Sequence, residues 1–463
     1  MMHIGQLPRL QRREFLRRAS MMGVAAQAAP FALQMAAIGE AAAQSQAPGY
    51  RALVCVFLYG GNDYGNTLVP YDTASWNAYA AIRQAIATPR DALTPTLLTP
   101  GMPLPGGRQM ALAPQMTRMR ALFDAGRLGV LLNVGTLVQP TTLAQYKAQS
   151  VPLPPKLFSH NDQQSVWQAS NPEGATTGWG GRIGDLFLSS NANAAFTCIN
   201  ASGNAVFMSG RQAMQYQIAT SGAVSINGVV RPMYGSQACA DTLRRLLTSE
   251  RSHWMEQELT RVASRSISAQ ALVAGALSSQ RALVTSFDAT NSLAQQLQIV
   301  ARMIAARASL GVSRQVFFVS LGGFDLHDFL PTQHPGLLAK VSDALGSFYD
   351  ATAELGVADS VTTFTASDFG RTLSSNGDGS DHGWGSHHFV MGGAVRGARF
   401  WGQLPEVSVN GADDVGQGRL LPTTSVDQLA ATLARWMGVS ATDMPAVLPQ
   451  IVNYSNRDLG FFA

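Results

Sequence analysis

Charge is scarce in this sequence. Only 13% of its 463 residues are charged, whereas 46% are hydrophobic, and this balance is too apolar for a disordered chain. The first 43 residues carry five arginines and two glutamates, so the remainder holds 28 basic and 27 acidic side chains. The chain after residue 43 therefore has a net charge of +1, which gives no electrostatic reason to expect nucleic acid as a partner.

Cysteine is also sparse, and several catalytic motifs are missing. The three cysteines, Cys55, Cys198 and Cys239, stand far apart, which excludes a zinc ribbon or a redox pair but leaves open a disulfide between the last two. The sequence contains no G-x-S-x-G nucleophile elbow, no H-E-x-x-H zinc motif and no Walker loop. The serine-hydrolase, zinc-protease and P-loop classes are therefore set aside.

Long apolar runs are absent after the first 43 residues, where no stretch approaches the roughly 20 residues of a membrane-spanning helix. The N-terminus carries the pattern RREFLR from Arg12, a mildly apolar run over residues 21–38, and three alanines ending at Ala43. We predict that residues 1–43 are a twin-arginine signal peptide. The protein is then periplasmic or secreted, exported folded, and without a permanent membrane span.

The remaining sequence alternates strand-like and helix-like stretches. Apolar runs predict strands at residues 51–59, 128–134, 316–321 and 361–365, and helical periodicity predicts helices at 113–125, 239–277, 291–308 and 337–355. Such alternation predicts an α/β fold, with a mostly parallel central sheet and helices on both faces. No Pro- or Ser-rich linker is present, so we expect one domain over residues 44–463, with an insertion at about residues 171–290 where the alternation blurs.

Three of the four predicted strands end in a short turn of mostly small residues followed by an aspartate. Asp63 follows the first strand, Asp325 the third and Asp368 the fourth. Ligands bind at the carboxyl ends of strands in open α/β sheets, so three acids at one edge predict a binding site there. The alternative, in which each aspartate caps its own helix or turn, stays open.

The segment from residue 365 to 393 is the richest in chemistry. It holds three acids and three of the chain's eight histidines, namely Asp368, Asp378, Asp381, His382, His387 and His388. Its only other basic side chain is Arg371, a cation that could meet a substrate oxyanion. Crowded carboxylates hold a proton or bind a cation, and carboxylate with imidazole suits a divalent metal. We therefore predict a metal site.

Two shorter motifs add to this candidate site. Asp325 and His327 are two residues apart, which places both on one side of an extended segment. Ser159 follows a proline-rich run and is predicted to be the N-cap of a helix, where free N–H groups favour oxyanions. Beside a metal its hydroxyl could ionise and attack an ester, although a plain N-cap explains it as well. The role of His160 stays open, because it could be a metal ligand, a base or a surface residue.

The leader and four linked motifs resemble the domain of unknown function 1501 family, which consists of exported bacterial proteins. The motifs are FLYGGNDYGNTLVPYD, SHNDQQSVWQ, GGFDLH and SDFGRTLSSNGDGSDHG. That family in turn resembles the alkaline phosphatase superfamily, which includes sulfatases and cofactor-independent phosphoglycerate mutases. The resemblance covers essentially the whole chain after the leader, and it implies an alkaline-phosphatase-like central sheet.

The same resemblance implies roles for individual residues. Ser159 corresponds to the superfamily's nucleophile. The implied metal ligands are Asp63, Asp325, His327, Asp368 and His382, with His387 or His388 as competitors of the last. Phe369 stands where the superfamily has a histidine of its second metal site.

The sequence thus predicts an exported hydrolase of phosphate or sulfate esters, with Ser159 and Arg371 as catalytic residues and one or two divalent ions from among Zn, Ca, Mg and Mn. Its partner would be a small-molecule ester or an envelope component. Phe369 favours an alternative, a binding or assembly protein of the cell envelope that keeps the fold without catalysis. A metalloenzyme with non-hydrolytic chemistry is a third option.

Overall fold

The central sheet follows the predicted strands. The computed structural model describes residues 49–462, and the predicted signal peptide lies outside them. The strands are β1 (Arg51–Leu58), β2 (Leu68–Pro70), β3 (Met110–Leu112), β4 (Leu128–Gly135), β5 (Cys198–Asn200), β6 (Tyr216–Gln217), β7 (Arg314–Leu321), β8 (Val361–Ser367), β9 (Ser386–Gly392), β10 (Phe400–Trp401) and β11 (Thr424–Ser425). Nine of them form one sheet in the order β10-β4-β9-β8-β1-β7-β5-β6, with β11 beside β4, while β2 and β3 pair separately.

The α-helices of the described residues connect these strands. They are α1 (Thr73–Arg83), α2 (Thr117–Asp124), α3 (Leu143–Ala148), α4 (His160–Ala169), α5 (Trp179–Phe187), α6 (Gln237–Thr248), α7 (Trp254–Ser278), α8 (Ser292–Ala305), α9 (Arg307–Leu310), α10 (Leu330–Glu354), α11 (Val426–Met437) and α12 (Met444–Val447). None of the helices within residues 49–462 combines the length and apolarity that a membrane crossing needs.

The alternation of side chains along β1 explains how helices come to cover both faces. Val54 and Val56 belong to one core cluster, which includes side chains of α8 and α10. Leu53, Cys55 and Phe57 belong to the other, with side chains of α5 and α11. Successive side chains of a strand point to opposite faces, so a strand buried on both reads as one continuous apolar run.

The pairing in the large sheet is parallel except at β9, which runs antiparallel to both β4 and β8. The predicted α/β fold, with a mostly parallel central sheet and helices on both faces, is confirmed. Because β1, β4, β7 and β8 point the same way, the segments that follow them meet at one edge. The candidate residues of the sequence analysis lie on these segments.

Helix boundaries differ from the sequence analysis, and the structure decides the disulfide that was left open. Helix α10 begins at Leu330, not near residue 337, because Pro331 suits a first helical turn and the Asp378 carbonyl accepts from the Leu330 N–H. The predicted helix at 239–277 is two helices, since a new N-cap at His253 starts α7. Cys198 is buried and Cys239 is exposed, and both are free, so no disulfide joins them. The insertion at 171–290 stays a prediction.

Candidate metal centre

The loops after β1 and β7 touch at the carboxyl edge of the sheet. Gly60 makes this contact feasible, since its φ is +115° and a Cβ there would lie 2.3 Å from the backbone nitrogen of Asp325. The Phe324 N–H also donates to the Tyr59 carbonyl at 3.1 Å. This contact holds the Asp325–His327 segment against the end of β1.

The ring nitrogens of three histidines converge on the carboxylate of Asp325. His382 Nε2 lies 3.1 Å from His160 Nε2 and 2.9 Å from His327 Nε2. The Oδ1 atom of Asp325 is 3.1 Å from His327 Nε2 and 3.4 Å from His382 Nε2, and its Oδ2 is 3.4 Å from His160 Nε2. In a tetrahedral site with metal–ligand distances of about 2.0–2.2 Å, neighbouring donor atoms are about 3.3–3.6 Å apart. The observed spacing therefore fits a divalent ion held by His160, Asp325 and His382, with His327 adjoining.

The second ring nitrogen of each histidine is fixed by an acceptor behind it. The three pairs are His160 Nδ1 with Asp368 Oδ2 at 2.6 Å, His327 Nδ1 with Asp381 Oδ1 at 3.2 Å, and His382 Nδ1 with the Phe158 carbonyl at 2.8 Å. Metal-binding histidines typically donate their other N–H to a carboxylate or a backbone carbonyl in this way. With Nδ1 protonated, the lone pair of each Nε2 faces the cluster.

The Nε2 atoms around His382 bring together more nitrogen lone pairs than there are N–H groups to form hydrogen bonds with them. Burial lowers the pKa of His382, and the charge of His160 adds to this, while the bond to the Phe158 carbonyl opposes it. A neutral His382 that donates from Nδ1 has one lone pair at Nε2, yet two other Nε2 atoms approach it. One hydrogen bond can use that lone pair, whereas a metal ion would accept the lone pairs of His160 and His382 together.

Asp368 lies behind His160 instead of among the converging atoms. It is fully buried, and its Oδ2 also accepts from Gln164 Nε2 at 2.7 Å and the Gly60 N–H at 3.2 Å. Its Oδ1 is buried and has no hydrogen-bond partner among residues 49–462. The hydrogen bond to Asp368 raises the pKa of His160, against the effect of burial. Asp368, which the sequence predicted to be a metal ligand, therefore orients the candidate ligand His160 in the structure. Its Oδ1 atom takes no part in that contact.

Arg371, predicted as a catalytic cation, is fully buried and holds Asp325. Its Nη1 donates to Asp325 Oδ1 at 2.7 Å and to the Gly60 carbonyl at 3.0 Å, while Nε donates to the Ser380 carbonyl at 3.0 Å. Burial alone would raise the pKa of Asp325, but Arg371, His160 and His327 outweigh it and lower that pKa. Asp325 is thus kept ionised, and the guanidinium is occupied by protein groups.

Asp63, also predicted as a ligand, is not brought to the histidines. It forms a fully buried ion pair with Arg83 of α1 at 2.7 Å and accepts from Ser380 Oγ at 2.7 Å and the Asn66 N–H at 2.8 Å. Burial would raise the pKa of Asp63, but Arg83 chiefly, with His334 and Ser380, holds it below its ordinary value. Its local role is the cap that the sequence analysis left open as the alternative.

His387 and His388, the competitors of His382, lie inside β9. The Asn133 N–H donates to His387 Nδ1 at 3.0 Å, and His388 Nδ1 is 3.2 Å from Thr365 Oγ1. Burial lowers the pKa of both to about 3, which keeps them neutral. Of the three alternatives, His382 is the one that the structure brings to Asp325.

Ser159 precedes α4 at the predicted position, although its side chain does not cap the helix. Its Oγ donates to Asp162 Oδ2 at 3.0 Å, and Lys156 Nζ lies 3.6 Å from Asp162 Oδ1. The hydroxyl is half-buried and belongs to the residue before His160. An acceptor for its proton is thus already in place.

A family model described as "Protein of unknown function (DUF1501)" matches residues 50–447. The chain belongs to the DUF1501 family. This confirms the resemblance that the motifs indicated. No curated protein matches the chain.

Solved structures similar to this DUF1501 chain include a synthase, a sulfatase and a periplasmic domain. The lipoteichoic acid synthase LtaP from Listeria monocytogenes is 8% identical with a TM-score of 0.34, over 90% of this chain and 81% of that one. The PsFucS1 sulfatase from Pseudoalteromonas sp. is 9% identical with a TM-score of 0.35, over 88% and 73%. The C-terminal periplasmic domain of EcEptC from Escherichia coli is 11% identical with a TM-score of 0.32, over 87% of each chain. Likeness at this level says nothing about the chemistry of the DUF1501 site.

Two residues beside the site had no signal in the sequence. Arg419 is half-buried, donates from Nε to the His382 carbonyl at 2.7 Å and lies over the Phe158 ring at 4.9 Å. Its guanidinium has no carboxylate partner among residues 49–462. The Phe158 carbonyl is the acceptor that orients His382. An arginine in a glycine-rich loop and a carbonyl in a proline-rich run look like many others, so only the fold reveals their place.

Proposed function

We propose that this DUF1501 protein is an exported hydrolase of phosphate or sulfate esters that depends on one divalent metal ion. The observation that carries the proposal is the convergence of His160, His382, His327 and Asp325 at the carboxyl edge of the sheet. Imidazole ligands together with one carboxylate favour Zn, whereas Ca and Mg prefer oxygen ligands. When bound, such an ion polarises an ester oxygen and lowers the pKa of an adjacent hydroxyl or water.

The surrounding residues pre-organise the ligand set. Asp368, Asp381 and the Phe158 carbonyl hold the three rings so that Nε2 points inward. Arg371 keeps Asp325 ionised and in place. Fixed ligands and a charged carboxylate lower the reorganisation needed to bind the ion and the substrate.

Ser159 is the proposed nucleophile, and Asp162 accepts its proton. The Oγ–H already donates to Asp162 Oδ2, so attack of Oγ on the phosphorus or sulfur atom would pass the proton to Asp162 as the bond to the leaving alcohol breaks. Water would then hydrolyse the Ser159 ester and regenerate the hydroxyl. Ser159 is also the residue directly before α4, and the N–H groups of a first helical turn favour an oxyanion at that end of the helix.

Arg419 replaces Arg371 as the proposed contact for the anionic part of the substrate. It contacts the backbone of His382, lacks a carboxylate partner among the described residues, and leaves Nη2 without a hydrogen-bond partner there. A guanidinium with donors to spare suits a phosphoryl or sulfuryl oxygen.

Arg419→Ala is expected to lower kcat/KM for an anionic ester by about 10- to 100-fold, because a hydrogen bond to a charged group contributes about 1.5–3 kcal/mol. Steady-state kinetics with p-nitrophenyl phosphate and p-nitrophenyl sulfate measure this. Arg399→Ala, an exposed arginine elsewhere on the chain, is the matched control and should leave kcat/KM unchanged. Equal kinetics for both variants would remove Arg419 from the substrate site.

A second candidate function is a non-catalytic binding protein of the cell envelope. Phe369 favours it, since the Phe369 ring packs 4.9 Å from the His160 ring and 4.8 Å from the His382 ring, next to the ligands. An apolar ring there contributes no ligand to a second ion. The same observation limits the hydrolase proposal to one ion.

Elemental analysis with an activity assay separates the two functions. The purified protein should carry about one equivalent of a transition metal, most readily Zn. Removal with a chelator should abolish turnover of both p-nitrophenyl esters, and adding the metal back should restore it. A protein that carries no stoichiometric divalent metal would refute the hydrolase and favour the binding protein, as would bound metal without turnover of either ester.

A further inference from the structure

Phe158, His382 and Arg419 form a closed set in which each residue contacts the other two. The Phe158 carbonyl accepts from His382 Nδ1 at 2.8 Å, and the His382 carbonyl accepts from Arg419 Nε at 2.7 Å. The guanidinium carbon of Arg419 lies 4.9 Å from the centre of the Phe158 ring, which completes the set. Phe158 therefore contacts a candidate metal ligand through its backbone and a cation through its side chain.

The backbone of Phe158 adopts an unfavourable conformation. Its φ is +71°, in the left-handed region that a bulky side chain rarely occupies. A glycine would adopt this conformation without steric cost and would offer the same carbonyl to His382. The strain therefore indicates that the phenyl ring has a role of its own, which offsets the cost to the backbone.

Packing against the core is one role that the Phe158 ring could have. The ring is half-buried and contacts the core cluster that includes side chains of α5 and α11. Leucine would preserve most of this apolar contact but has no aromatic face, whereas tyrosine keeps the face. Substitution by leucine and by tyrosine therefore separates packing from the contact with Arg419.

The Phe158 ring holds the Arg419 guanidinium without neutralising it. An aromatic ring attracts a cation through its quadrupole but supplies no negative charge, and 4.9 Å is within the roughly 6 Å range of such contacts. Arg371 differs, since it is paired with a carboxylate of the candidate ligand set. The hydrogen bonds of Arg419 within residues 49–462 go to the carbonyls of His382 and Gly416. Arg419 thus keeps its positive charge for an anionic ligand.

We propose that Phe158 is a positioning residue for the anion-binding part of the site. Its ring holds the Arg419 guanidinium and its carbonyl orients His382, so the cation and the candidate metal ligand keep a fixed relation to each other. An anionic ester then meets a cation that needs little reorganisation to bind it. This role rests on the proposed function, in which Arg419 contacts the anionic part of the substrate.

Phe158→Leu is expected to raise KM for p-nitrophenyl phosphate by about three- to tenfold and to leave kcat within about twofold, because a half-buried cation–π contact contributes about this factor. The metal content should stay the same, since the carbonyl that orients His382 remains. Phe158→Tyr should keep the KM of the unchanged protein. Phe287→Leu is the matched control, because Phe287 is a half-buried phenylalanine that packs against the other core cluster.

Two further measurements do not depend on turnover. Calorimetric titration with inorganic phosphate should give a Kd for Phe158→Leu that is raised by the same factor as KM. In protein with isotope-labelled arginine, the Arg419 Nε–H magnetic resonance signal is assigned by its loss in Arg419→Ala. This signal should move in Phe158→Leu, because the ring current of the phenyl group is gone, and stay close to its place in Phe158→Tyr.

The outcomes distinguish this role from the proposed function. If the unchanged protein hydrolyses neither ester, the hydrolase fails, while phosphate binding and the Arg419 signal still decide the role of Phe158. An Arg419 signal that does not move in Phe158→Leu would overturn the positioning role. So would equal phosphate affinity in the two proteins, including no binding to either. Lower stability of Phe158→Leu with unchanged KM would assign the ring to packing alone.

Discussion

Asp325→Asn is expected to lower ester hydrolysis by about 1,000-fold or more and to remove most of the bound metal, because the variant loses the carboxylate that lies among the converging donor atoms. The amide oxygen can still accept from Arg371 Nη1, so the buried guanidinium keeps its partner. Turnover of p-nitrophenyl phosphate and sulfate, with elemental analysis of the same samples, measures both effects.

Asp328→Asn is the matched control for this substitution. Asp328 is exposed on the same loop, three residues further along, and has no place among the converging atoms. Its replacement should leave metal content and turnover unchanged. If Asp325→Asn behaved like this control, the metal centre would lie elsewhere and the proposed function would fail with it.

Asp63→Asn is expected to lower the free energy of unfolding by about 3–5 kcal/mol while the metal content stays the same. The substitution leaves Arg83 as a buried charge without its counter-ion, and removing one partner of a buried pair costs about this much. Urea unfolding of the metal-free protein measures the change, and elemental analysis measures the metal. A loss of metal without loss of stability would instead support the ligand role that the sequence resemblance implied.

The double variant Asp63→Leu/Arg83→Met provides the control for the ion pair. Replacing both charges by apolar groups should recover most of the stability lost by Asp63→Asn. The ion pair should also make the free energy of unfolding fall at acidic pH. Since the folded state lowers the pKa of Asp63, its contribution is present above the ordinary value of about 3.9 and is lost as the pH falls through the lower folded value.

Some side chains of the candidate site could be identified from local sequence patterns, and others could not. Asp325, His327 and His382 were predicted because each follows a strand or lies in a glycine-rich loop at a known edge. Ser159 was placed correctly at the start of a helix by the prolines before it. His160 was left open, because a histidine in the first turn of a helix carries no periodic signal of its own.

Asp63 and Arg371 show where the local pattern was insufficient. Asp63 follows its strand as Asp325 and Asp368 follow theirs. However, Asp63 forms a buried ion pair with Arg83, which lies twenty residues later in the chain. Arg371 is the only basic side chain of its segment besides histidine, which made it look available, but it is enclosed by the carbonyls of Gly60 and Ser380 and by Asp325. In each case the deciding partners lie outside the local sequence pattern and are brought into contact by the fold.

The sequence by itself determined the α/β alternation, the parallel strands and the edge at which the acids and histidines emerge. Continuous apolar runs can be buried only between two helical layers, and parallel strands deliver their loops to one side. Only the tertiary structure decided which polar groups meet there, because ion pairs and metal ligands depend on distances of a few ångströms between segments far apart in sequence. In the folded protein Asp63 pairs with Arg83, and Asp368 lies behind His160. Asp325 is the aspartate that faces the three histidines.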